Sequence, residues 1–220
     1  GSEPLGLWIV SEASEGGPPP GWLPYPVAEP ASLGLEFWLA ALALGLGRVA
    51  IAESGMPSET RAALQAQISL ARTLLAGLGR EQSVGWSDDV ATTTQLPANA
   101  SSRPGAELPL TENKRTLLFA AIDALLEGTA TPPLSLSLPG APFGEIRVDA
   151  AQCTLCAACV RICPAEALSL PGTTAQLAFT EERCVQCGIC ANACPEKAIS
   201  LVPRLLGSKT ARQTPRVVAE

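Results

Sequence analysis

Two stretches of sequence, CTLCAACVRICP at residues 153–164 and CVQCGICANACP at residues 184–195, repeat one arrangement of cysteines. In each stretch three cysteines are separated by two residues, a fourth follows after three more, and a proline comes directly after the fourth. Together the two stretches hold all eight cysteines of the 220-residue chain. This repeated pattern decides what the C-terminal part of the chain folds around.

The spacing is typical of [4Fe-4S] cluster binding, in which the fourth cysteine of each stretch ligates the cluster held by the other stretch. The sequence therefore predicts two [4Fe-4S] clusters with crossed ligand sets. The predicted ligands of cluster I are Cys153, Cys156, Cys159 and Cys194, and those of cluster II are Cys184, Cys187, Cys190 and Cys163. The proline restricts the backbone of the fourth cysteine, and we expect that cysteine to lead into a helix.

Zinc and disulfide bonds are the alternative uses of these cysteines. Two all-thiolate zinc sites would also need eight cysteines, but the doubled run ending in Cys-Pro is far more specific to iron–sulfur clusters. Disulfides would require an oxidising compartment, and cysteines this close in sequence pair poorly with one another. Iron–sulfur ligation is therefore the favoured interpretation.

Composition argues against several classes of function. The chain has no histidine, which removes the commonest general base and the commonest metal ligand. A net charge of −6 argues against a nucleic-acid partner. The hydrophobic fraction of 47 % is sufficient for a core, and the length fits one or two domains. The sequence begins Gly1-Ser2-Glu3, without the basic segment of a signal peptide, and we expect a cytoplasmic protein.

One apolar stretch, residues 33–52, is long enough to span a bilayer. It contains Glu36 and Arg48, and Gly45 and Gly47 divide it, so it is better interpreted as a buried helix followed by a buried strand. The same two glycines form half of a dinucleotide-binding fingerprint. They lack its third glycine and follow a helix, so we interpret them as a helix end.

The N-terminal part alternates predicted strands and helices. Strands are predicted at residues 5–10, 22–27, 48–52 and 82–86, and helices at 35–46, 59–78 and 112–127. Ser32 and Thr111 are the predicted N-caps of the first and third helices. The second helix carries one apolar stripe at steps of three and four, formed by Leu64, Ile68, Ala71, Leu75 and Leu78. This alternation favours an α/β fold, with a parallel sheet flanked by helices.

The chain is predicted to have four segments. Residues 1–128 form the α/β domain, which contains no cysteine and includes a long surface loop at 87–110. Residues 129–144 contain four prolines and form a linker. Residues 145–203 form the iron–sulfur domain. Residues 204–220 are mostly polar, and we expect a poorly ordered tail.

The iron–sulfur domain resembles the bacterial two-cluster ferredoxins. The matching text is VDAAQCTLCAACVRICPAEALSL, at residues 148–170, and FTEERCVQCGICANACPEKAISL, at residues 179–201. The resemblance implies an α+β ferredoxin-like fold with pseudo-twofold symmetry. Residues 145–148 would pair with 199–202, and 168–170 with 177–179. A short helix would follow each Cys-Pro, and Val160, Ile162, Ile189 and Ile199 would shelter the clusters.

The N-terminal domain resembles the small iron–sulfur (delta) subunit of hydrogenases that serve heterodisulfide reductase. The matching text is PVAEPASLGLEFWLAALALGLGRVAIAES at residues 26–54, LLAGLG at 74–79 and SVGW at 83–86. In that family the corresponding domain carries cysteines and a two-iron cluster, whereas residues 1–152 of this chain contain no cysteine. The family's cofactor is therefore not carried over, and the resemblance implies at most a docking platform.

These observations predict an electron carrier that is not itself an enzyme. It would pass single electrons through two clusters between redox protein partners, and the resemblances make formate dehydrogenase and hydrogenase-related enzymes candidate partners. The alternative is an interaction or assembly scaffold whose clusters are structural. An enzyme acting at a cluster would need an open iron position, and eight cysteines fill all eight ligand positions.

Overall fold

A computed structural model describes residues 5–12, 17–53, 56–80, 84–87, 106–127, 129, 132–172 and 175–220. The chain divides into two compact units, Gly1–Pro132 and Pro133–Glu220. Most of the surface loop predicted at residues 87–110 lies outside the described residues. Among the residues described, every helix is too short or too polar to span a bilayer.

The first unit is built on a parallel four-stranded sheet in the order β2-β1-β3-β4. Its strands are β1 (Gly6–Ser11), β2 (Trp22–Val27), β3 (Arg48–Ile51) and β4 (Val84–Trp86). The predicted parallel sheet is confirmed. Strand β2 lies at the edge of the sheet. Its two prolines have no N–H group to donate, and an edge strand tolerates this because only one of its sides pairs with a neighbour.

Among the described residues, the α-helices that accompany this sheet include α1 (Leu35–Ala43), α2 (Ser58–Ala76) and α3 (Lys114–Glu127). The predicted stripe from Leu64 to Leu78 is buried at all five positions, although α2 ends at Ala76 and Leu78 follows the helix. Helix α1 packs against α3, and Trp38 and Leu39 of α1 are fully buried. The apolar stretch at 33–52 is thus a buried helix and a buried strand, as predicted.

Both predicted N-caps are wrong. Ser32 lies in a 3₁₀ helix (Pro30–Ser32), where its hydroxyl donates to Glu29 O at 2.7 Å, and α1 begins after Gly34 without a side-chain cap. Helix α3 begins two residues later than predicted, so Asn113 takes the cap position. Its Oδ1 accepts hydrogen bonds from the backbone N–H groups of Arg115 and Thr116, the positions that an N-cap side chain reaches.

The second unit contains two small antiparallel sheets. One has the order β5-β9-β6, with β5 at Ser135–Ser137, β6 at Gly144–Val148 and β9 at Ile199–Leu206. The other has the order β10-β8-β7, with β7 at Leu168–Ser169, β8 at Leu177–Phe179 and β10 at Arg216–Ala219. Both predicted pairings are present, because Val148 pairs with Ile199 and Leu168 pairs with Phe179.

The short helices of this unit do not lie where they were predicted. Helix α4 (Ala158–Ile162) and helix α5 (Ile189–Ala193) precede the two Cys-Pro pairs instead of following them. Each fourth cysteine has an extended backbone, with ψ of 109° at Cys163 and 115° at Cys194. The following proline disfavours a helical backbone at that cysteine, so the cysteine ends the helix.

The predicted linker and tail both contain regular structure. Strand β5 lies inside the predicted linker and pairs with the end of β9. Within the predicted tail, β9 extends to Leu206, helix α6 spans Lys209–Gln213, and β10 pairs with β8. The polar composition of residues 204–220 was therefore a poor guide, because these residues are ordered by pairing with strands distant in sequence.

Candidate metal centre

The loops that hold the first three cysteines of each stretch share an unusual backbone. The second and fourth residues after the first cysteine are left-handed in both loops, at Leu155 (φ 56°), Ala157 (φ 60°), Gln186 (φ 53°) and Gly188 (φ 77°). Such alternation turns successive N–H groups toward one side and forms a concavity that binds anions in many iron–sulfur sites. Three of the four residues are not glycine, and each left-handed residue of that kind costs about 1–2 kcal/mol. An anionic group bound in the loop would offset this cost.

A matching turn follows each fourth cysteine. Glu166 (φ 50°) and Lys197 (φ 51°) are also left-handed, and each lies three residues after its cysteine. The next backbone N–H then points back, so that Ala167 N donates to Cys163 Sγ at 3.3 Å and Ala198 N donates to Cys194 Sγ at 3.4 Å. The two stretches therefore present their fourth sulfur with the same backbone donor.

Two cavities lie among the cysteines, and each is lined by four of them. The first, with about 360 Å³ of space including the part open to solvent, is lined by Cys163, Cys184, Cys187 and Cys190. The second, with about 400 Å³ counted in the same way, is lined by Cys153, Cys156, Cys159 and Cys194. These two groups of four coincide with the ligand sets predicted for clusters II and I. We call the first cavity site II and the second site I.

The walls of both sites are mainly apolar. Ile189 belongs to the wall of site II and Ile199 to that of site I. Ile199 is buried, as expected of a residue that shelters a cluster, whereas Ile189 is 38 % exposed. Val160 packs against the buried core of this unit. Ile162, the fourth predicted sheltering residue, is 46 % exposed. The wall therefore shields the buried sulfurs of Cys159, Cys184 and Cys190, whereas Cys156 and Cys187 are exposed.

Burial changes the acidity of the innermost thiols. Removal from water, followed by the nearby charge of Cys184, raises the pKa of Cys190 to about 11, although the backbone N–H of Ala191 lowers it in part. Burial likewise raises the pKa of Cys159, against a lowering by the backbone N–H of Val160. These thiols are protonated at neutral pH while no cation is bound. Metal binding would therefore release protons, as it does wherever a thiolate is the ligand.

The donor atoms around each site are those of an iron–sulfur cluster. Within the described ranges, no three histidine, cysteine or acidic side chains are placed to hold a single metal ion. A zinc ion would need its sulfurs about 2.3 Å from one point. Four cysteines around an apolar cavity, with N–H groups directed at sulfur, are instead the donor set of a [4Fe-4S] cluster.

An ion-pair network lies beside site II. Arg204 bridges two carboxylates, with 2.7 Å to Glu145 and 2.8 Å to Glu181, and Glu145 also pairs with Arg216. The hydrogen bond to Glu181 is the largest cause of the raised pKa of Arg204. Glu181 O in turn accepts a hydrogen bond from Cys184 N at 3.0 Å. Arg204, from the predicted tail, therefore holds Glu181, which precedes the second cysteine loop, and Arg216 reaches it through Glu145 and Arg204.

Sequence reasoning missed this network. Its residues are far apart in sequence, and the arginines lie in a stretch whose polar composition suggested solvent exposure. Arg212, in the same stretch, is buried and not exposed to solvent. It is 1 % exposed, and its guanidinium donates to Leu206 O at 2.6 Å. A position-by-position comparison of the two cysteine loops does not reveal this network, but it does show that Gln186 stands where the first loop has Leu155.

Residues 152–198 match the family described as a 4Fe-4S dicluster domain. The match includes all eight cysteines and supports an iron–sulfur, metal-binding domain of the electron-transport type. A search of curated proteins found no match to the chain. The resemblance of the N-terminal domain to a hydrogenase subunit finds no support in either comparison.

Proposed function

We propose that this protein transfers single electrons between redox protein partners through two [4Fe-4S] clusters. Cys153, Cys156, Cys159 and Cys194 would hold one cluster in site I, and Cys163, Cys184, Cys187 and Cys190 the other in site II. The observation that supports this most directly is the grouping of the eight cysteines around two cavities, four to each. A bound [4Fe-4S] cluster supplies a one-electron couple whose potential depends on hydrogen bonds, charge and exposure.

The residues of the chain have three tasks in this function. The thiolates bind iron, the apolar walls keep water from the sulfurs, and the backbone N–H groups of Ala167 and Ala198 stabilise negative charge on the two fourth cysteines. Cys156 and Cys187 are exposed, whereas Cys159, Cys184 and Cys190 are buried. One cysteine of each site thus reaches the surface, where a partner protein can approach it closely.

The same arrangement argues against chemistry on a substrate. A cluster with four cysteine ligands has no open iron position, and each cavity has four cysteines in its wall. The chain also has no histidine to serve as a general base. We therefore infer that the protein is a carrier and not itself an enzyme.

The first unit is proposed to recognise a partner. It has its own sheet and buried helices, and residues 1–152 contain neither cysteine nor histidine, so it offers none of the usual ligands of an iron–sulfur cluster. Formate dehydrogenase and hydrogenase-related enzymes are the partner classes that we propose to test first, by mixing each with the reduced protein and following reoxidation.

A redox titration under anaerobic conditions tests the function. Protein purified without oxygen should contain about eight irons and eight sulfides per chain, as two full clusters require. Electron paramagnetic resonance should show two centres that are reduced and reoxidised reversibly, each by one electron. Clusters that are present but never cycle would favour the scaffold alternative, and zinc without sulfide would refute both.

A further inference from the structure

The two cysteine loops differ at one position that faces a ligand sulfur. Gln186 and Leu155 occupy equivalent places, each two residues after the first cysteine of its stretch. Both are left-handed, with φ of 53° and 56°, and both are partly buried. The backbone of the two loops is therefore alike, and the side chains can be compared directly.

The amide of Gln186 points at the first cysteine of its own loop. Its Nε2 lies 3.0 Å from Glu145 O and 3.4 Å from Cys184 Sγ, so both of its N–H groups have an acceptor. Because Glu145 O and Cys184 Sγ both accept hydrogen bonds, the amide must present its nitrogen to them, and its oxygen points the other way. Gln186 Oε1 is buried without a hydrogen-bond partner among the described residues. The orientation of this amide is therefore determined by the hydrogen bonds that its N–H groups donate, because its buried oxygen makes none.

Resting on the proposed function, we propose that Gln186 makes site II the preferred location of the transferred electron. One electron from a donor protein adds one unit of negative charge to the cluster and its thiolates, with no bond made or broken. The side-chain N–H of Gln186 stabilises that charge at Cys184 Sγ, whereas the aliphatic side chain of Leu155 has no N–H group to donate. Since hydrogen bonds to sulfur are among the determinants of a cluster's potential, site II is reduced before site I.

Other differences between the sites are weaker. The backbone donors to the fourth cysteines, from Ala167 and Ala198, are matched. Glu166 and Lys197 occupy equivalent positions with opposite charges, but both are exposed, and Arg183 pairs with Glu166 at 3.7 Å. Water and salt screen exposed charges, whereas the amide of Gln186 acts in direct contact with the sulfur.

The test is a redox titration of the full-length holoprotein and of the variant Gln186→Leu, which gives site II the residue of site I. Cys187→Ser and Cys156→Ser identify the signals of sites II and I. In the unaltered protein, site II should have the higher potential. In Gln186→Leu, the ratio of electron occupancy between site II and site I should fall about tenfold, which is about 59 mV for a one-electron couple. Leu155→Gln should raise the potential of site I in return.

Leu155→Met is the matched control, since it alters the side chain without adding a donor, and it should leave both potentials in place. If Leu155→Met shifted the potential of site I as much as Leu155→Gln does, the inference would be overturned. It would also be overturned if Gln186→Leu kept both clusters and left the two potentials unchanged. Either result would leave the proposed function intact. Fewer than two reversible clusters in the unaltered protein would instead refute the proposed function.

Pulsed electron paramagnetic resonance of the unaltered protein, carrying glutamine labelled with ¹⁵N at the side-chain amide only, provides a measurement that needs no variant. A ¹⁵N coupling at the site II centre, and not at site I, supports the inference, and its absence overturns it.

Discussion

Replacing Arg204 by methionine should destabilise the second unit by about 2–4 kcal/mol. Arg204 Nε and Nη2 donate to the two oxygens of Glu181 at 3.0 and 2.8 Å, and the Glu181 side chain is only 4 % exposed. Removing one member of a buried ion pair costs about 3–5 kcal/mol, because the other charge stays buried without a partner. The expected loss of about 2–4 kcal/mol lies somewhat below that range, because Arg204 itself is 20 % exposed and Glu145 keeps its pair with Arg216.

Urea and thermal unfolding of the anaerobic holoprotein, followed by the visible absorbance of the clusters, would measure this loss. A change of 1 kcal/mol shifts the Tm of a unit this small by about 4–8 °C, so a loss of about 2–4 kcal/mol should lower the Tm by about 8–32 °C. Glu181 O is bonded to Cys184 N. The signal of site II should therefore disappear before that of site I.

Two further variants determine whether the buried charge is the cause. Arg147→Met removes an exposed arginine from β6 and should change stability by less than about 0.5 kcal/mol. The double variant Arg204→Met with Glu181→Met replaces both charges by apolar side chains and should recover much of the loss. A single variant as stable as the unaltered protein, or a double variant less stable than the single one, would refute this reasoning.

Three other predictions concern the cysteines and the two units. Cys163→Ser should alter the same resonance signal as Cys187→Ser and leave unchanged the signal that Cys153→Ser alters; if it instead matches Cys153→Ser, the crossed ligation is wrong. Removing iron with a chelator should unfold residues 133–220, because metal binding and folding of such small units are coupled, while most of the helical circular dichroism remains. A single transition that melts the whole chain would show that the units share one core. Leu75→Ala, at a fully buried position of α2, should cost about 2–5 kcal/mol in the first unit, yet the cluster absorbance at low denaturant should not change.

The features that the sequence predicts well are those that depend on repetition. Strands β1 to β4 and helices α1 to α3 follow from local periodicity, and the stripe from Leu64 to Leu78 is buried as its spacing indicates. The pairing of Val148 with Ile199 follows from an internal duplication. Repetition also groups the cysteines, since a fixed spacing on two similar loops leaves little freedom in where each sulfur can lie.

The features that it predicts poorly depend on small offsets or on distant partners. Thr111 and Asn113 are both good capping residues, and a shift of two residues in the start of α3 decides between them. The order of residues 204–220 arises from pairing with β8 and from the burial of Arg212. Neither is visible in local composition, because a buried arginine and an exposed arginine look the same in a sequence.

The exposure of Cys156 and Cys187 has a consequence for the lifetime of the protein in air. Oxidation of cysteine follows thiolate character and access, and these two side chains are the exposed members of the two sites. Under the proposed function, dioxygen and peroxide would therefore meet the same two sulfurs that a redox partner would approach. A substitution that covered Cys187 would protect site II from oxidation and would also slow electron exchange with a partner. Greater tolerance of oxygen would therefore come with slower electron transfer.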